Sequence, residues 1–230
     1  PYSLKAFTLS EVLITLVIIG VIAAITVPNI IQCSQNKEFY SALKKNMSVI
    51  RNALDLAQID YGIMGDNSVV FTPSDSQDKH YETAKRFAKY LNTVKICNGR
   101  LDNNCSDIYY KIKYDVKEYA NGYAYTNYPK IVLSDGSIYE IQQDDCGSYY
   151  DSCVTDEYGN CKKDDNGNVI PTVAYSDVCG YIKVDVNGAK APNQFGWDIF
   201  WLKVYKDKII INNWAPSGGS KGNDIMTGKV

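Results

Sequence analysis

Histidine is nearly missing from this chain, since its 230 residues carry one, His80. That excludes multi-histidine metal centres and leaves little for imidazole-based acid–base or nucleophilic chemistry. The signatures of several enzyme classes are missing too: no G-x-S-x-G elbow, Walker loop, H-E-x-x-H or dinucleotide fingerprint occurs. His80 itself sits in Asp78-Lys79-His80-Tyr81-Glu82, a charged stretch expected to be an exposed helical surface, so no catalytic residue and no enzyme activity are expected. An excess of either charge is also lacking. With 24 Lys+Arg against 26 Asp+Glu the net charge is −2, which provides no basic field, and no nucleic-acid partner is expected.

What the chain does contain is distributed unevenly. The overall 45% hydrophobic and 22% charged content is that of an ordinary globular protein of one large or two small domains, yet most of the strong hydrophobicity lies in Phe7 to Val27. As a helix, these 21 residues are ~31 Å long, close to the ~30 Å hydrocarbon thickness of a bilayer. The run is longer than the core of a secretory signal, and it is followed by Thr26-Val27-Pro28-Asn29-Ile30-Ile31 rather than a small-x-small cleavage site. A soluble core helix of this length would carry a polar face. A membrane anchor fits, but it leaves one residue unexplained. The single charge in the run is Glu11, and an ionised carboxylate at mid-bilayer costs ~2.5–3.5 kcal/mol, so a partner is implied.

Lys5-Ala6-Phe7-Thr8-Leu9-Ser10-Glu11-Val12-Leu13, the apolar run and Val27-Pro28-Asn29 closely resemble the N-terminal signature of type IV prepilins and type II secretion pseudopilins. The resemblance covers about the first 30 residues. It implies a leader ending at residue 6, cleavage between Ala6 and Phe7 by prepilin peptidase, and methylation of the new Phe7 amine. It also implies an assembly role for Phe7, Glu11 and Pro28, with Glu11 pairing with the Phe7 ammonium of a neighbouring subunit. The implied partners are other pilin or pseudopilin subunits, the peptidase, membrane lipid, and an inner-membrane assembly platform with its ATPase.

Pro28 should bend rather than end the helix, because Phe39, Leu43, Met47, Ile50 and Leu54 continue at helical spacing. One helix is expected from about residue 7 to 59, its second half packed into a head. Tyr81, Ala84, Phe87 and Leu91 mark a second helix that Ser74 or Ser76 can cap. The period then shortens. Residues 130–141 make a hairpin around Asp135-Gly136, and 180–185 and 208–211 are further strand candidates. The fold class is α+β, a long N-terminal helix on an antiparallel sheet, which is also what the resemblance implies. The expected division is leader 1–6, transmembrane and assembly helix 7–28, and an extracytoplasmic head 29–230. The tail 215–230 has few apolar residues.

Of seven cysteines, Cys33 follows the apolar run and six lie in the head: Cys97, Cys105, Cys146, Cys153, Cys161 and Cys179. Six in polar loops point to disulfides and an oxidising compartment, and no zinc-ligand spacing competes. Cys97 with Cys105 is the preferred local pair; the other connectivities stay open. Asp185, Asn187, Asn193 and Asp198 offer hard oxygen ligands in one loop, making calcium the candidate ion. Asx-turns that fix the loop without an ion are the alternative. The Asp156–Asn168 stretch is expected to be a solvated acidic loop. Two functions follow: a subunit of a secretion pseudopilus or type IV pilus-like filament, or a membrane-anchored extracytoplasmic binding module. In either case the chain spans the membrane once before any assembly, with its head outside the cytoplasm.

Overall fold

The structure is a computed structural model that describes residues 8–74, 76–102, 105–113, 123–124, 127–157 and 160–212. Ala6, Phe7, the proposed leader and the tail from 213 onward lie outside the described residues. Helix α1 (Leu9–Tyr61) continues through Pro28, as expected where a proline removes one backbone donor from an otherwise strongly helical run. The chain divides into two compact units after Ser41, inside α1. In the first, Leu9–Pro28 has a mean hydropathy of 2.5 and no buried residue, so it is long and apolar enough to cross a bilayer.

The second unit is α+β. Its α1 residues Leu43, Met47, Ile50 and Leu54 are buried at the predicted spacing, with Ala53 and Ala57 beside them. Helix α2 (Lys79–Ala88) buries Ala84 and Phe87. Leu91 falls beyond its end, and neither serine caps it. Ser76 Oγ instead accepts from Asp78 N–H at 3.2 Å and Ser74 Oγ from Ser76 N–H at 3.2 Å, forming turns that lead into the helix.

Among the described residues ten strands follow: β1 (Thr93–Cys97), β2 (Ile112–Lys113), β3 (Tyr123–Ala124), β4 (Lys130–Leu133), β5 (Ile138–Gln143), β6 (Ser148–Cys153), β7 (Pro171–Ser176), β8 (Val178–Asp185), β9 (Ile199–Tyr205) and β10 (Ile209–Ile211). Six form one sheet in the order β1-β4-β5-β8-β9-β10, every neighbouring pair antiparallel. The pairs β2–β3 and β6–β7 form two-stranded ribbons. The β4–β5 hairpin turns through Ser134-Asp135-Gly136, with Gly136 at φ +88° and Leu133 O accepting from Gly136 N–H at 3.0 Å. Only Gly136 takes a positive φ there, which makes this a three-residue loop rather than a two-residue one.

Strand alternation sorts the sheet into two unlike faces. One carries Ile131, Tyr139, Ile141, Ile182, Val184, Leu202 and Val204, all buried. Tyr139 Oη donates to Asn46 Oδ1 at 2.5 Å, tying this face to the second half of α1. Gly180 lies here because nothing larger fits: a Cβ would sit 2.5 Å from the Gln142 carbonyl and 2.8 Å from a Phe71 ring carbon. The opposite face carries Lys130, Glu140, Lys183 and Trp201 in one cross-strand row, and Val132, Ile138, Asp185 and Ile199 in the next. Ile108, Tyr109 and Ile112 cover it, closed off at one side by Cys97 and Cys105.

Three disulfides join the head cysteines: Cys97–Cys105, Cys146–Cys179 and Cys153–Cys161. They are the bonds of an oxidising compartment. The Asp156–Asn168 stretch forms the end of the β6–β7 ribbon. There Asp156 accepts from Asn160 N–H at 2.9 Å, and Asp164 from Asn166 and Asn168 N–H at 2.9 and 2.8 Å.

Candidate functional site

Three groups of expected or newly visible functional residues can be placed. The first is the start of α1. Thr8 N–H and Thr8 Oγ1 both donate to Glu11 Oε2 at 2.8 Å, and Glu11 N–H returns a bond to Thr8 Oγ1 at 3.3 Å. This is a capping box, written in the sequence as Thr8-x-x-Glu11, a pattern that the sequence reading passed over in favour of the charge alone. Glu11 is exposed, as is the apolar run behind it apart from the half-buried Ala23, and Pro28 lies exposed within the helix. Ala6 and Phe7 lie outside the described residues, so the Ala6–Phe7 bond and the partner expected for Glu11 do too.

The second group is the β8–β9 loop. Asp185 ends β8 and Asp198 precedes β9, so closure of this hairpin brings the two carboxyls together with Asn187 and Asn193. Asp198 is fully buried; its Oδ2 accepts from Asn193 N–H at 2.8 Å and its Oδ1 from Gln194 N–H at 2.7 Å. Asp185 Oδ1 accepts from Asn187 N–H at 3.2 Å, and its Oδ2 from the Tyr110 hydroxyl. With its amide nitrogen turned to the loop carbonyls, Asn193 donates to Gly188 O and Lys190 O at 3.3 and 3.1 Å. Asn187 Nδ2 donates to Ala191 O at 3.2 Å, and its Oδ1 is a buried acceptor without a partner.

Burial, reinforced by the neighbouring Asp198 charge, pushes the Asp185 carboxyl up to about 8; burial raises Asp198 as well. Calcium takes six to eight oxygens. Here each carboxylate oxygen already receives an N–H or O–H, and Asn187 Oδ1 alone in this set is uncommitted. The loop as arranged closes on its own hydrogen bonds, and among the described residues no group of three or more His, Cys, Asp or Glu is placed to hold a metal.

The third group escaped the sequence reading altogether. Lys183 Nζ lies 2.6 Å from Glu140 Oε1, and Lys130 Nζ lies 3.7 Å from Glu140 Oε2, all three residues buried. Lys130 also donates to Ile108 O at 3.0 Å and stands 4.8 and 5.0 Å over the rings of Tyr109 and Tyr110. Lys183 stands 5.4 Å over both Tyr128 and Trp201. Burial lowers the Lys130 pKa although Glu140 opposes the shift. Alternating charges at positions 130, 140 and 183 carry a signal only once the strand register is known, which is why the sequence alone did not reveal the row.

Compared with known proteins, the chain matches no family model, no curated protein and no solved structure.

Proposed function

We propose that this chain is a structural subunit of a type II secretion pseudopilus or a type IV pilus-like filament. Prepilin peptidase cuts it between Ala6 and Phe7 and methylates the new amine, and an inner-membrane platform with its ATPase assembles it. One observation carries the proposal: an exposed apolar span whose sole charge is Glu11 follows Lys5-Ala6-Phe7 and continues as unbroken helix through Pro28. In a plain anchor that carboxylate would serve only the capping box with Thr8, a task that does not offset the cost of an acid in an apolar run. In a filament that carboxylate meets the Phe7 ammonium of the next subunit within the bilayer, which sets the axial register.

The α+β head, a sheet with the second half of α1 on one face and three disulfides, supports a pilin-like architecture with its head outside the cytoplasm. The subunit crosses the membrane once before assembly, and the filament stands in the periplasm or on the cell surface. Mass spectrometry of the mature N-terminus tests the proposal. N-methylated Phe7 is the expected result; an uncut leader would favour the membrane-anchored binding module instead.

A further inference from the structure

A groove on the head shares only Tyr128 with the three groups placed above. Two adjoining hollows of about 540 and 430 Å³ share Asn98 and Asn127 as common walls, and each is within the usual ~300–1,000 Å³ of a small-molecule site. Three elements build the groove. The entry to α2 contributes Gln77, His80 and Tyr81, the entry to β4 contributes Asn127 and Tyr128, and the loop after β1 contributes Asn98. That loop is stapled at its base by Cys97–Cys105, so one wall is fixed covalently.

The chemistry of the lining is selective. Gln77, Asn98 and Asn127 present exposed carboxamides, each with a planar donor and acceptor pair, and these side chains bond to none of the described residues. Tyr81, Tyr128 and His80 are half-buried and line the groove, with Lys85 Nζ 4.9 Å over the Tyr81 ring and Lys183 Nζ 5.4 Å over that of Tyr128. His80 is positioned twice over: its Nδ1 accepts from Gln143 N–H at 2.9 Å and its ring meets Tyr128 edge-on at 4.9 Å between centroids. With Nδ1 accepting and burial lowering its pKa, His80 is neutral and keeps Nε2–H as a donor.

Charge argues against the other ligand classes. Arg100 is the one cation in the lining, with Asp78 and Asp102 opposing it, and Asp102 already accepts from Asn98 N–H. A phosphate or sulfate would need clustered cations, and a metal would need converging carboxylates. Exposed carboxamides matched to paired hydroxyls, beside the aromatic side chains that line the same groove, suit an uncharged polyhydroxylated molecule. We infer that this groove binds a neutral oligosaccharide. The inference is independent of filament assembly, because every lining residue lies in the head.

The test uses the full chain in lipid nanodiscs, free of glycoside detergent, on a microarray of neutral, sialylated and sulfated oligosaccharides. The strongest neutral binder is then titrated by calorimetry. Expected is binding of neutral oligosaccharides that weakens at least about tenfold in Asn98→Ala and in Gln77→Ala. Both residues are exposed, so the thermal midpoint should hold in each variant, and intact mass should show all three disulfides retained. Three results would overturn the inference: no neutral oligosaccharide bound at about 10 mM, equal affinity in both variants, or a preference for the sialylated or sulfated members.

Discussion

Asp185 and Asp198 sit where a carboxylate is expensive, and the β8–β9 loop is shaped to supply what each oxygen needs. Asp198 receives two backbone N–H groups, Asp185 receives one together with the Tyr110 hydroxyl, and the loop closes without an ion. Calcium and a chelator should therefore give thermal midpoints within about 2 °C of one another; a larger rise in calcium would show that the loop rearranges to bind it. His80 makes a second case at this scale. Its folded pKa lies below the ordinary 6.5, with burial the first cause, the charge of Lys79 adding to it and Asp144 opposing. The unfolded chain therefore binds the proton more tightly. The stabilisation from keeping His80 neutral is fully present above pH 6.5 and is lost as pH falls through the folded value. Replacement by asparagine places an oxygen near the Nδ1 position and so keeps an acceptor for Gln143 N–H. Urea unfolding at pH 7 and pH 5 should show a smaller loss of stability on acidification in His80→Asn than in the native chain, and equal losses would show that His80 does not contribute.

At the scale of elements, the row Lys130–Glu140–Lys183 is where one substitution should matter most. Glu140 compensates two buried ammonium groups, and a neutral replacement leaves both in a low dielectric. Glu140→Gln should cost about 3–5 kcal/mol, read as a lower urea midpoint at unchanged slope. Replacing all three residues by methionine should cost much less, because no charge is then stranded. The row also shows why some elements were legible in the sequence and others were not. The stripe Leu43, Met47, Ile50, Leu54 announces itself by period alone, since one helix face meets one sheet face. The β4–β5 hairpin is announced by Asp135-Gly136 between β-branched flanks. By contrast β1 (Thr93–Cys97) and the ribbon β6–β7 lack any such local mark, and their identity comes from pairing across tens of residues. The face that buries lysines reads as solvent-exposed until Ile108, Tyr109 and Tyr110 are folded over it. The capping box at Thr8 and Glu11 was legible but masked by a stronger question, the presence of an acid in an apolar run.

At the scale of the whole molecule, the chain joins an exposed apolar helix to an oxidised head, and Glu11 is where those two facts bear on function. Its carboxylate has one visible task, closing the capping box with Thr8. Its proposed second task is to neutralise an ammonium on a neighbouring subunit. The two tasks separate cleanly in one substitution. A capping box accepts Gln as well as Glu at its third position, because either side chain can reach back to the cap's N–H. Pairing with an ammonium in the bilayer, however, needs the negative charge. Glu11→Gln should therefore keep the helix start intact while subunits fail to enter filaments, whereas Thr8→Val should weaken the cap and leave the charge available for assembly. The fractions of subunit in sheared filaments and in the membrane, measured for both variants against the native chain, provide the test. If Glu11→Gln assembles as well as the native chain, Glu11 is a helix cap and the ion-pair mechanism fails, even where Phe7 is found methylated.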